Sequence, residues 1–387
     1  MTFISAISLR TGYSSDTSSD FEATIFHSKD TMSTCDSGNG KYNDKDYVLA
    51  AVRQSGYNLK YASEQLRNDR EVVLAAVQEA GYALKYASEQ LRSDRDIVLA
   101  ALQEDGWALE HASETLKDDK SLVLAVVQRD GTALEYASEK LKNDKDVVLA
   151  AIRQWGEAIR YANEELKSDK DVAFAAVQQD PWAIRYVSDK LKDDKDFMLA
   201  AVRQNGWILK YASEKLKDDK DVVLVAVQQY GGALRYVNNE FRSDREVVLA
   251  AVRTNGWALK YASEQLRGDR EVMFAAVQHP ETDPECGPAL QYASNDLKRD
   301  KDVVLASIQQ NGWALEYASN ELKDDKDFML AAVQQKGWML KFASEKLKGD
   351  KDVVLAAVKK DGWAIMYASE DLKSDRDVAF VAEYFEN

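Results

Sequence analysis

An aspartate returns every 25 residues, at Asp44, Asp69, Asp94, Asp119, Asp144, Asp169, Asp194, Asp219, Asp244 and Asp269. After one unit longer by six residues it returns again at Asp300, Asp325, Asp350 and Asp375. A repeat this short is one supersecondary unit. It cannot bury an apolar face alone, so neighbouring units must stack into a continuous array. The length of 387 residues taken alone suggests two or three domains. The period replaces that with thirteen complete units over 44–374 and a partial fourteenth, a C-terminal cap, over 375–387. Residues 1–43 lack the period. They are rich in Ser and Thr (Ser14, Ser15, Ser18, Ser19, Ser33, Thr34) and read as a disordered tail.

The unit over 68–92 shows the local logic. Asn68 is placed to cap a helix, with Glu71 three residues on as the reciprocal acid of a capping box. Ser93, Asp118, Asn143, Ser168, Asp193, Ser243 and Ser374 hold the same position elsewhere. The run Val72–Val77, with its Ala pair, reads as a short buried helix. Gly81 recurs at the matching position in most units and is expected to close that helix in the left-handed conformation. A second helix of about ten residues is expected from Tyr82 to Arg92, with Ala83, Leu84, Ala87 and Leu91 as its buried stripe. Where Pro181 replaces the glycine, Asp180 is expected to cap the second helix with Pro181 as its first residue. Asn205, Asn255 and Asn311 stand at the same place and are placed to cap similarly, so the spacing leaves open which turn most units use. The expected fold is therefore all-α, an α-solenoid of short helical hairpins on a 25-residue repeat.

Composition excludes several function classes. Lys and Arg total 51 against 66 Asp and Glu, a net charge of −15, which opposes wrapping of nucleic acid. Two cysteines (Cys35, Cys286) and three histidines (His27, His111, His279) leave no disulfide framework and no His- or Cys-based metal centre. The sequence has no phosphate loop, nucleophile elbow or zinc-protease motif, so neither a catalytic set nor a cofactor is expected. No apolar run reaches membrane-spanning length, and no membrane partner is expected. Asp16, Asp20 and Glu22 oppose a transit peptide, and a cytoplasmic protein is expected.

Three repeated rows invite a functional reading. The aromatics Tyr57, Tyr82, Trp107, Trp182, Trp207, Trp257, Trp313, Trp338 and Trp363 suggest a stacking platform. Packing explains them better, with each ring expected on the apolar residue at the helix end, Val77 in the sample unit. Where the aromatic is replaced by Glu157 or Gly232, Trp155 or Tyr230 appears two residues earlier, as hole-filling requires. A ladder of tyrosines (Tyr61, Tyr86, Tyr136, Tyr161, Tyr186, Tyr211 and onward) reads as a seam of amphipathic rings, with His111 and Phe342 as stand-ins. One residue before the tyrosines, Arg160, Arg185, Lys210, Arg235 and Lys260 form a basic row fit for an acidic partner. Glu164, Asp189, Glu214 and Glu264 lie four residues on and are expected to neutralise most of it. The insert 279–288 breaks the register of the array and carries Glu281, Asp283, Glu285 and Cys286. It is either a partner contact or tolerated loop growth.

The wording Asp-Lys-Asp-Val-Val-Leu, as at 219–224, with Gly-Trp-Ala-Leu-Lys-Tyr-Ala-Ser-Glu-Gln-Leu at 256–266, resembles a tandem-repeat family known only as a domain of unknown function. That family occurs in microbial eukaryotes, bacteria and large viruses, and the resemblance covers about 44–387. It implies no activity. The expected role is a non-enzymatic scaffold for an unidentified protein partner, with a self-associating rod as the alternative. A small-ligand binder or enzyme using the insert is the third reading.

Overall fold

The computed structural model describes residues 40–278 and 288–385. Most of the tail 1–43 and the insert residues Glu281, Asp283, Glu285 and Cys286 lie outside the described residues. The described residues are helical throughout, and each unit packs its long helix on the long helices of its neighbours. The core is one continuous cluster from Val48 to Ala382. Each unit contributes a set such as Val72, Val73, Ala76, Val77, Ala83 and Leu84, all fully buried. The all-α solenoid on a 25-residue repeat is thus the observed fold.

Inside the unit the chain departs from the expected hairpin. A ten-residue α-helix, Arg70–Glu79, comes first. A six-residue 3-10 helix follows, Gly81–Tyr86, and then a four-residue α-turn, Glu89–Arg92. The expected second helix is split because Ala87 is extended (φ −68°, ψ 156°). The cause lies in the neighbouring unit. The Ser88 N–H donates to the Arg67 carbonyl of the preceding unit at 2.9 Å, so it is withdrawn from any bond within its own helix. Ser88 then caps the new turn, its Oγ accepting from the Leu91 N–H at 3.3 Å.

The capping residue is also one position later than expected. Asp69, in the β region, accepts from the backbone N–H groups of Glu71 and Val72 on one carboxylate oxygen. Asn68 instead closes the preceding turn and accepts the Ser88 hydroxyl at 2.5 Å. Asp118 and Asp193 receive Ser138 and Ser213 in the same way. Both Asn68 and Asp69 are good cappers; a cation on the preceding unit selects the aspartate. Lys45 Nζ lies 2.9 Å from the other oxygen of Asp69 and 2.9 Å from Glu71. A Lys or Arg does the same at each of the thirteen junctions, reaching the next anchor aspartate at 2.6–3.3 Å. One carboxylate therefore caps its own helix and staples it to the unit before.

Two further expectations are corrected. Gly81 is not a left-handed helix closure: it opens the 3-10 helix, after an extended Ala80 (φ −149°, ψ 108°). Its role is close approach, since a Cβ there would stand 2.3 Å from the Ala101 carbonyl oxygen of the next unit. The insert does not break the register. Arg270 still reaches Asp300 at 2.9 Å, and the Ser294 N–H still donates to the Arg267 carbonyl at 3.1 Å. Other expectations hold. Asp180 caps with Pro181 at the first helical position. Asn205, Asn255 and Asn311 accept from the tryptophan N–H groups two residues on. The terminal capping helix spans Arg376–Phe385.

Two outcomes follow from the seam and the staple. Gly81→Ala is expected to destabilise the array by about 1–3 kcal/mol through forced separation of the two units, read by chemical denaturation. At the staple, the Lys170 ammonium and the Phe197 N–H hold the Asp194 carboxyl below its usual 3.8, against the opposing effect of desolvation. Asp69 and Asp350 are lowered likewise, by Lys45 and Lys326 first. A carboxylate with a depressed folded-state pKa contributes stability above its unfolded value and loses it as pH falls through the folded value. The melting temperature should therefore drop as pH falls below about 3.8. Asp194→Asn should flatten part of that drop. Asp194→Ala should cost about 0.5–2 kcal/mol at neutral pH from the lost cap.

Candidate surface: a cation–aromatic ridge

The 3-10 helix of each unit ends on the tyrosine of the ladder, and the residue before it points outward. Arg160, Arg185, Lys210, Arg235 and Lys260 are all exposed in this position. Their expected neutralisation does not form. Glu164, Asp189 and Glu214 pair instead with Lys167, Lys192 and Lys217, three residues on within their own short turn, at 2.9, 3.3 and 2.7 Å. The i,i+4 relation needs one unbroken α-helix. Arg160 and Glu164 are separated by extended Ala162 and by the capping residue Asn163, so they belong to different helices.

The freed cations lie over aromatic faces. Arg160 Cζ is 5.1 Å from the Tyr161 ring centre and 5.5 Å from Tyr186 of the next unit. Arg235 repeats this over Tyr236 at 5.2 Å and Tyr261 at 5.9 Å. Lys260 spans Tyr261 and Tyr292, each at 5.9 Å, and Lys210 covers Tyr211 at 5.3 Å. Arg185 covers Trp182 at 5.0 Å and Tyr186 at 5.7 Å, and it also reaches Glu157 at 3.2 Å. Arg160, Lys210, Arg235 and Lys260 meet no carboxylate among the described residues. Each exposed cation–ring contact is worth about 0.5–1 kcal/mol, enough to hold a side chain in place while its charge stays in water.

The two units before this stretch carry Glu110 and Glu135 in the row, and the two before those carry Lys60 and Lys85. Burial and the neighbouring carboxylates Glu135 and Glu110 push the Tyr136 hydroxyl up to about 12. Burial pushes the Tyr161 hydroxyl up too, helped by a hydrogen bond to Glu135. These tyrosines remain neutral rings at any physiological pH. His111 is a stand-in aromatic as expected. Its ring meets Tyr82 edge-on at 4.6 Å, Nε2 has no hydrogen-bond partner among the described residues, and burial lowers its pKa. Such surroundings favour the neutral ring.

The tryptophan row packs on other aromatics, partly within its own unit, as Trp207 on Tyr211 at 5.8 Å and Trp257 on Tyr261 at 5.5 Å, and partly across to the next unit. Trp182 meets Trp207 at 4.2 Å, Trp313 meets Trp338 at 5.1 Å, and Trp107 donates its indole N–H to Thr132 at 2.9 Å. Hole-filling is direct at Tyr230: a Cβ on Gly232 would stand 2.5 Å from its ring. Trp107, Trp182 and Trp313 remain 47–50% exposed, so the row is a half-open seam.

The staple cations escape notice as a set in the sequence, where the junction charges read as caps and solubility alone. Their signal is the Asp-cation-acid order at nearly every unit start. Among the described residues, no three His, Cys, Asp or Glu side chains gather to hold a metal, and no helix is long and apolar enough to cross a membrane. Trp207→Ala should lower stability by about 2 kcal/mol, from lost area and ring contact, read by thermal denaturation. Trp313→Ala, half exposed, should cost less.

Comparison with known proteins agrees with this repeat geometry. A family model described as a domain of unknown function (DUF4116) matches in overlapping two-unit windows, from 44–92, 74–117 and 94–142 through to 325–373 and 350–382. No curated protein and no solved structure matches. Since the windows tile the chain from the first anchor aspartate to the terminal helix, the protein belongs to the DUF4116 family of tandem repeats.

Proposed function

We propose that the array is a non-enzymatic scaffold that binds an acidic, extended segment of a protein partner along the ridge of Arg160, Arg185, Lys210, Arg235 and Lys260. The observation that carries this is the pairing of exposed charge with tyrosine faces in five consecutive units, of which Arg185 alone also meets a carboxylate, Glu157, among the described residues. A fixed cation beside a ring offers an acidic chain both a charge and an apolar edge at each step. Preorganised side chains lose little entropy on binding. The net charge of −15 repels nucleic acid, and this stretch is the longest unbroken run of cations in the row. In this reading the protein acts in the cytoplasm and needs no cofactor.

The test is a quantitative pull-down from source lysate with the full chain and with the variant Arg160→Glu, Lys210→Glu, Arg235→Glu. A stoichiometric partner that weakens with salt and falls at least tenfold in the variant supports the ridge. Equal retention by both proteins rejects it. Circular dichroism controls for folding: the helical spectrum should be kept, with a melting temperature lowered modestly by the lost cation–ring contacts.

A further inference from the structure

Every internal junction packs one long helix on the next and staples the two together, and the described array displays one such long-helix face, uncovered among the described residues, at each end. At the C-terminal end, Arg376 occupies the position of the staple cations Lys45, Arg70 and Lys351. Those three each reach the aspartate of the following unit. Arg376 meets no carboxylate among the described residues. At the N-terminal end, Asp44 occupies the anchor position and caps its helix through the Tyr47 N–H at 2.9 Å. No cation meets it or Asp46 among the described residues. The two halves of one staple stand at opposite ends of the array.

The apolar surfaces correspond as well. On the terminal helix Phe380 and Tyr384 are each 71% exposed, and Phe385 is 45% exposed. Ile365 and Leu372 beneath are only half-buried, whereas their counterparts Leu84 and Leu91 are covered by a following unit. On the first helix Tyr47 is 38% exposed where Val72 in the next unit is fully buried, and Ala51 is opened where Ala76 is fully buried. Residues Lys41–Asn43 already imitate the end of a preceding unit. The Ser63 N–H donates to the Tyr42 carbonyl at 2.9 Å, as the Ser88 N–H does to that of Arg67. Both ends are richer in aromatics than the internal joints: Tyr47 replaces Val72, Tyr42 replaces Arg67, and Tyr384 and Phe385 replace Gln78 and Glu79.

We propose that these ends are an interface for a second copy of this chain, docked head to tail, with Arg376 of one copy stapled to Asp44 and Asp46 of the next and Phe380 and Tyr384 packed against Tyr47 and Ala51. The contact is heterologous, so it joins more than two copies, into a ring where the rotation closes and into an open filament where it does not. It stands apart from the ridge, whose residues it does not use, and either reading can fail without the other.

Sedimentation velocity of the full chain over a range of concentrations tests it. The expected result is a series of species that grows past the dimer with concentration and shrinks with salt. Arg376→Glu places like charges at the joint and should weaken association about tenfold or more, as should Asp46→Lys. Both residues are exposed and Asp46 makes no capping bond, so circular dichroism should show each variant folded. Mixing the two variants should restore growth. The introduced carboxylate of one then faces the introduced ammonium of the other, and the native Arg376 and Asp46 meet at the alternate joints. A wild-type chain that stays monomeric overturns the proposal. So does a closed dimer indifferent to both substitutions, or a mixture that behaves as the sum of its two components.

Discussion

The array depends on one carboxylate used twice. In each unit after the first the anchor aspartate turns one oxygen to the free N–H groups that every helix start leaves unsatisfied and the other to a cation from the unit before. The first contact is local and fixes where the helix begins. The second is long-range and fixes how far the unit is rotated and advanced on its neighbour. A cap is worth about 0.5–2 kcal/mol and a surface ion pair about 0–1 kcal/mol, so neither holds the fold alone. Their common carboxylate means that forming the helix places the acceptor for the staple. The apolar core supplies the bulk of the stabilisation, through fully buried sets such as Val147, Val148 and Ala151. The aspartate sets the register in which those side chains meet.

Much of this was legible in the sequence, and the boundary of legibility has a physical cause. The period, the all-α class, the buried stripe, the caps at Asp180 and Asn205 and the compensating Tyr230 follow from patterns inside one unit or from comparing units. The misreadings within the unit turn on a neighbour's backbone or charge. Asn68 and Asp69 are equal as cappers until Lys45 is placed beside the second. The break at Ala87–Ser88 arises because Arg67 of the preceding unit takes the serine N–H. Gly81 looks like a helix stop until Ala101 of the next unit is seen against it. A 25-residue unit read alone has no neighbour, so those choices were invisible.

The same lesson applies to the candidate surface. The basic row itself was plain from spacing, but its charge balance was drawn as if Arg160 and Glu164 shared a helix. The 3-10 segment ends between them, the acid turns to Lys167, and the cation settles on tyrosine rings. A break made for stacking thereby leaves charge on the outside. The tryptophan row is the simpler case: packing is the better reading from spacing, and Trp182 lies tilted against Trp207, and Trp313 against Trp338, across the seam.

The staple has a consequence for size. The staple at each joint runs between adjacent units, from a Lys or Arg side chain to the next anchor carboxylate. Excising a whole unit such as 219–243 would bring Lys195 against Asp244 in place of Asp219, with the same cap waiting. The molecule behaves as interchangeable links, and its reach is then quantised. It lengthens or shortens by whole links, through duplication or loss of the coding stretch for one 25-residue unit, while every remaining joint stays chemically unchanged.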